Sequence, residues 1–372
     1  MDIPLFDLNY DHREQEAIKS VLESKWISMG PKVQELEQRF AALHSVGHGV
    51  GLANCTAALH LSMRLLGVKP GDEVIVPSLT FAATVNCVLM QHATPVFADI
   101  CSNTDWTIDA EDVLSKITSK TKAIIVMHYG GHGADMPTFR ALADEYKIGL
   151  VEDACHAPGG SMGDRMLGSF GDLACYSFYS NKNLAIGEGG MLITDNQEFA
   201  DRARLLRSHG MTTTAYDRVK GKSFYKLLEY GYNYRMDDIH GALGCVQLDK
   251  LEEDLTNRER LVKRYRQNLS GIEKITIPFD SYQGRSSNYI FGILVETEDR
   301  EALREKLKAD GIGTSMHYPP VHQFSAYLDF ATPLKMTELV GRQQLSLPLY
   351  STLELDSVDY VCEKLIDNIK SQ

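Results

Sequence analysis

The sequence predicts a two-domain α/β protein built on a largely parallel sheet with helices covering both faces. Three observations carry this expectation. From about residue 33 to residue 250, apolar strand-like segments alternate with amphipathic helical ones. Several of the strand segments are short, continuous apolar runs, as strands buried on both faces are. The chain of 372 residues exceeds one minimal core and falls short of three ordinary domains.

VQELEQRFAALH sets Val33, Leu36, Phe40 and Leu43 on one helical face. ALHLSMRLLG reads as a helix, DEVIVP as a strand and FAATVNCVLMQHA as a helix again. TPVFAD, KAIIVMH and IGLVED are buried parallel strands, and PTFRALADEYK is a helix of crossover length between the last two. A charged helical run from about Cys245 through LDKLEEDLTNRERLVKRYRQNL reads as a solvated bridge between domains. Beyond it, ITIPFD, NYIFGILVET, REALREKLKADGIG and VDYVCEKLIDNIK indicate a small α+β domain. The expected division is therefore a large domain at 1–250 and a small one at 251–372.

The composition is that of an ordinary globular protein, 44% hydrophobic and 24% charged. With 38 basic against 50 acidic residues the net charge is −12, which argues against nucleic acid or an anionic membrane as partner. MDIPLFDLNYDHREQEA lacks the basic start and apolar run of a signal peptide. No stretch approaches the roughly 20 apolar residues of a membrane span. The seven cysteines are odd in number and scattered without a CxxC pair, so neither a disulfide framework nor a metal site is expected. A cytoplasmic protein with reduced thiols fits this pattern.

Three segments carry chemistry. In VEDACHAPGG an apolar strand ends at Glu152 and Asp153, and ligands of open parallel sheets bind at the carboxyl ends of strands. Asp153 alone reads equally well as a turn or cap acid. In CYSFYSNKNLAIGEGGMLITD a strand leads through Ser177 to Lys182, flanked by Asn181 and Asn183. Gly187, Gly189 and Gly190 follow, and glycines allow positive φ and close backbone approach. In GLANCTAALHLSM a small-residue turn opens a helix, and free N–H groups there with the Thr56 hydroxyl make an anion site. The plainer alternative is an ordinary helix capped by Thr56. Together, an anion-binding helix start, an acid at a strand end and a lysine on a glycine-rich loop match the needs of pyridoxal phosphate (PLP).

The chain resembles the DegT/DnrJ/EryC1/StrS family of sugar aminotransferases. The likeness runs through WISMGPKVQELE, NCTAALHL, PGDEVIVPSLTFAATVN, VEDACHA, SFYSNKNLAIGEGG, GYNYRMDDIHGALG and GIGTSMHYP. It implies an aspartate aminotransferase-like (fold type I) architecture, with a mainly parallel seven-stranded sheet and a small C-terminal α+β domain. It implies that Lys182 carries the cofactor through its ε-amino group and later moves protons, and that Asp153 bonds the pyridine nitrogen. His156, where the family often has Gln, would contact the ring hydroxyl, and Phe81 would stack on the ring. Thr56, Ala57 through its backbone, and Ser177 would hold the phosphate. Asn233 would reach the phosphate of the neighbouring subunit, which makes each site a property of a homodimer.

The resemblance also implies a sugar pocket drawn from Trp26, Ile27 and Met29 and from His317 and Tyr318, each of which reads equally as interface packing. His209 and Arg235 are weaker candidates, and His12, His44, His48, His60 and His92 read as surface or helix histidines. SSNYIFG occupies a region where relatives often carry a histidine that is absent here. The implied reaction is amination of a keto sugar, most often nucleotide-linked, with glutamate as donor. A keto-cyclitol, often aminated from glutamine, or a keto sugar acid is the nearby enzymatic alternative. A non-catalytic regulator is the alternative from another class, and intact Lys182 and Asp153 argue against it. Lys182 also argues against the dehydratase branch, which has histidine there.

Overall fold

The computed structural model describes residues 2–221, 224–297 and 299–370. Its strands, in chain order, begin with β1 (His48–Leu52), β2 (Glu73–Pro77), β3 (Thr94–Ala98), β4 (Thr121–Met127) and β5 (Gly149–Asp153). A short hairpin, β6 (Ser161–Met162) and β7 (Arg165–Met166), precedes β8 (Leu173–Ser177) and β9 (Gly190–Thr194). The C-terminal part adds β10 (Ile275–Thr276), β11 (Gly284–Arg285), β12 (Phe291–Val295) and β13 (Gln344–Leu347).

Seven strands form the main sheet in the order β1-β9-β8-β5-β4-β2-β3. Only β9 is antiparallel to its neighbours; the others run the same way. β2, β5 and β8 are almost wholly buried runs such as VIVP, LVED and LACY. That burial explains why they read as continuous apolar segments rather than alternating ones. Helices Pro31–Leu43, Met136–Tyr146 and Asp238–Leu269 contribute to the core on one face, and Cys55–Leu65, Ala82–Leu89 and Gln197–Leu206 to that on the other. The architecture is the mostly parallel α/β arrangement that the sequence predicts.

The long helix departs from the expectation of a solvated bridge. It starts at Asp238, seven residues before Cys245, where Asp237 caps it by accepting from the His240 N–H at 2.9 Å. One side is buried throughout: Leu243 and Cys245 join the core under the large sheet, while Leu261, Tyr265 and Leu269 join the C-terminal core. It is charged because only the other side meets water. The C-terminal core wraps the sheet β10-β12-β13 with helices Arg300–Ala309 and Leu355–Lys370, and it also takes in Ile3. FAATVNCVLMQHA is helical only over Ala82–Leu89, since the chain turns at His92 with positive φ. Among the described residues no helix is long and apolar enough to cross a membrane.

Candidate active site

The carboxyl ends of β5 and β8, the start of helix Cys55–Leu65 and the 317–318 segment surround one cavity of about 460 Å³. Thr56, Phe81, Asp153, His156, Ser177, Lys182, His317 and Tyr318 all line it. Topology explains the convergence. Parallel strands deliver their carboxyl ends to one edge, where the following turns are free of sheet pairing.

Asp153, the last residue of β5, is buried, and its carboxylate is held from two sides. Oδ2 accepts from Thr84 Oγ1 at 2.7 Å, while Oδ1 accepts from the Cys155 thiol and, at 3.4 Å, the Cys155 N–H. Glu152, facing the opposite side of the strand, has a structural task. Its Oε2 accepts from His128 Nε2 at 2.8 Å and the Gly168 N–H at 2.7 Å, and its Oε1 from the N–H groups of Phe170 and Gly171. Burial pushes its pKa up, but His128 and those amides outweigh it, and the net direction is down.

Lys182 sits half-buried on the loop between β8 and β9, with its N–H donating to the Tyr179 carbonyl at 2.9 Å. Next to it, Asn183 Nδ2 donates to the Ser287 carbonyl at 2.6 Å and ties the loop to the C-terminal half. Burial pulls the Lys182 pKa down, but Tyr289, Cys155 and Asp153 outweigh it and the direction is up. The glycines play two different parts. Gly187 has φ +94°, whereas a Cβ on Gly190 would lie 2.4 Å from the Asn54 carbonyl carbon. That close approach seats β9 against the start of helix Cys55–Leu65.

The cap of that helix is Asn54, not Thr56: its Oδ1 accepts from the Ala57 N–H at 2.9 Å. Ala57 is therefore buried with its N–H engaged, and the Thr56 hydroxyl is left to the cavity. Ser177, ending β8, accepts from the Tyr179 N–H at 3.3 Å. Phe81 precedes helix Ala82–Leu89 and is 60% exposed, with its ring 5.9 Å from that of Tyr318.

His156 Nδ1 accepts from the Gly130 N–H at 3.3 Å, so its proton lies on Nε2, which donates to the Tyr318 hydroxyl at 2.9 Å. Burial, then Lys182 and His317, hold its pKa well below the usual range. Burial and Lys182 bring His317 down to about 4, and its Nδ1 lies 2.9 Å from Ser346 Oγ. The cavity thus sets the Lys182 ammonium and the carboxylates of Asp153 and Glu188 among imidazoles that burial keeps neutral.

Other candidates lie elsewhere in the chain. Trp26 stands edge-on to Tyr216, Ile27 is exposed and Met29 is in the core; none of the three lines the cavity. Asn233 is exposed and pairs its backbone with Ser208. His60 lies inside helix Cys55–Leu65 and His44 caps the end of helix Pro31–Leu43, so both are helix histidines as expected, and both are buried. Sequence reasoning missed Thr84, which the motif TFAAT contains but which only the fold aims at Asp153. It also missed Tyr289, although SSNYIFG contains it, because that segment stands out in the sequence only for the histidine it lacks. The cysteines are less scattered in space than in sequence: Cys55 and Cys155 are free thiols with Sγ atoms 3.5 Å apart beside Asp153.

A family model described as the DegT/DnrJ/EryC1/StrS aminotransferase family matches residues 9–366. The chain belongs to this family. It is an aminotransferase, and its cofactor is pyridoxal phosphate. It is 39% identical over 371 residues to the spore coat polysaccharide biosynthesis protein SpsC of Bacillus subtilis, covering 96% of this chain and 94% of that one. Among solved structures, Spr1654 from Streptococcus pneumoniae in its PLP form superposes with a TM-score of 0.93 at 28% identity, covering 100% and 99% of the two chains. DesI, solved in the presence of its TDP-sugar product, gives 0.88 at 30% identity with 99% and 94% covered. The fold type and the sugar aminotransferase class expected from the sequence agree with these comparisons.

Proposed function

We propose that this enzyme transfers an amino group from glutamate to the carbonyl of a nucleotide-linked keto sugar. The observation that carries the reading is the meeting of Lys182, Asp153 and the start of helix Cys55–Leu65 around one cavity. The donor set fits the cofactor: a buried carboxylate for a pyridinium nitrogen, an amine for an aldehyde carbon, and helix-start N–H groups with hydroxyls for a phosphate.

Asp153 would hold the ring nitrogen, Phe81 would stack on the ring, and His156 would contact the ring hydroxyl. Thr56 and Ser177 would hold the phosphate through their hydroxyls, and Ala57 would join them by sharing the N–H it gives Asn54. When bound, the cofactor supplies an electron sink for the carbon that loses its proton. The chain's own residues supply the rest. Thr84 and Cys155 keep Asp153 pointed at one place, and Lys182 takes and returns a proton at Nζ. His317 and Tyr318 form the sugar-facing wall. Holding both reactants in one pocket removes roughly 7–11 kcal/mol of barrier by orientation.

Residues 1–250 serve as the cofactor-binding domain and 251–372 as the small domain in this reading. The enzyme acts in the cytoplasm as a homodimer, free of nucleic acid and membrane partners. An exposed apolar run of Val219, Phe224, Tyr225, Leu227, Leu228 and Tyr230 favours a second copy, and exposed Asn233 lies three residues beyond it. Trp26 and Ile27 contact sugar only in the assembled dimer, while Met29 packs in the core behind them and supports that segment. The test is a panel of acceptors with ¹⁵N-glutamate: nucleotide-linked keto sugars, free keto sugars, keto sugar acids and keto-cyclitols. Label in a nucleotide-linked amino sugar is the expected result. Label confined to a free sugar or cyclitol would overturn the substrate assignment.

A further inference from the structure

We infer that Tyr289 is a positioning residue for Lys182, offering its ring face to the ε-ammonium so that the lysine is held at one point of the cavity wall. The inference rests on the reading of Lys182 as the cofactor-bearing lysine.

Lys182 Nζ lies 4.0 Å from the centroid of the Tyr289 ring. Tyr289 is itself fixed and buried. Its ring packs 4.2 Å from that of His156 at 30°, and its N–H donates to the Gly130 carbonyl at 3.1 Å. Two residues earlier, the Ser287 carbonyl takes the bond from Asn183. One buried hydrogen bond therefore joins the lysine loop to the tyrosine segment, and a second anchors Tyr289 to the turn after β4, so the ring cannot drift from the ammonium without breaking one of them.

Asp153 at the end of β5, Cys155 and His156 in the turn after it, and His317 from the C-terminal half also act on or feel Lys182, and Tyr179, Glu188 and Tyr318 line the same cavity. Asp153 is already engaged by Thr84 and Cys155, and burial keeps both histidines neutral. An aromatic face attracts a cation through its quadrupole, and more strongly where water is excluded. Tyr289 thereby favours the ammonium over the free amine and sets how readily the lysine gives up a proton. A residue that must take and return protons at one atom needs both its place and its proton affinity fixed.

The test uses cofactor-free enzyme, so that it reads Lys182 and not turnover. Trace acetic anhydride labels lysines between pH 7 and 11, and mass spectrometry of the Lys182 peptide gives its titration. Tyr289→Phe keeps the ring face and should titrate with wild type. Tyr289→Leu should titrate lower by about one pKa unit, a tenfold change in the protonation equilibrium. Trifluorophenylalanine at 289 keeps the shape while weakening the quadrupole, so it tests the same point if the leucine variant does not fold. It should titrate below the phenylalanine variant. A leucine or fluorinated variant that titrates with its parent would overturn the inference. So would a phenylalanine variant that falls as far as leucine, since the hydroxyl and not the ring face would then hold the lysine. Borohydride reduction with pyridoxal phosphate separates the two readings: cofactor mass on another lysine refutes the cofactor role of Lys182, whatever the labelling shows.

Discussion

Thr84 Oγ1 donates to Asp153 Oδ2 at 2.7 Å, across 69 residues of sequence, from helix Ala82–Leu89 to the end of β5. The hydroxyl fixes one carboxylate oxygen, and Cys155 fixes the other. A hydrogen bond to a charged group contributes about 1.5–3 kcal/mol. Thr84→Val keeps the shape and removes the donor. It is expected to lower kcat/KM or cofactor affinity by one to two powers of ten, with the melting curve little changed. Steady-state kinetics and a PLP titration check this.

Asp153→Asn replaces the charge that a pyridinium nitrogen needs while leaving a side chain that can still accept from Thr84. It should retain cofactor and lose most activity. Single-turnover rates with bound cofactor are the measurement, and an unchanged rate would make Asp153 a structural acid.

Stability should fall on mild acidification because of histidines the protein buries neutral. His44 donates from Nδ1 to the Phe40 carbonyl and accepts at Nε2 from the Gly159 N–H; burial brings its pKa from 6.5 down to about 4. His60, between Gln91 and Tyr234, is likewise lowered to about 4 by burial and Arg64. A lowered histidine pKa means that the unfolded chain binds the proton first. The stability is therefore full above pH 6.5 and is lost as pH falls toward 4, by about 3 kcal/mol for His44 alone. Urea titrations at pH 7.5, 6 and 5 should show a falling midpoint, less steeply in His44→Asn.

The parallel sheet and its strand ends were legible in the sequence because buried parallel strands such as IGLVED write continuous apolar runs. Asp153 was legible because it ends an apolar strand beside small residues, and Lys182 because it sits on the glycine-rich loop between two strands. Thr84 and Tyr289 were not, because their meaning lies in which distant group they face. The Asn54 cap was hidden for a local reason: Asn and Thr both cap helices, and two residues of register decide between Asn54 and Thr56. The long helix looked solvated because a charged outer face says nothing of its buried side.

The shared-site reading of Asn233 predicts complementation. Asn233→Ala and Lys182→Ala homodimers should each be impaired, while in their heterodimer one site carries both lesions and the other neither. Activity at limiting cofactor should recover on mixing, Asn233→Ala alone having weakened cofactor binding by about one to two powers of ten. A mixture no more active than its parents, with subunit exchange demonstrated, would remove Asn233 from the neighbouring site.

The central claim is that Lys182 carries the cofactor and the proton. The most direct measurement incubates wild type and Lys182→Ala with pyridoxal phosphate, reduces each with borohydride, maps the cofactor mass by peptide, and follows ¹⁵N transfer from glutamate. Wild type should carry the mass on the peptide containing Lys182 and transfer the label. Lys182→Ala, folded and dimeric, should carry none and transfer none. Near wild-type label transfer by Lys182→Ala, or cofactor mass on another lysine of the wild type, would contradict the account.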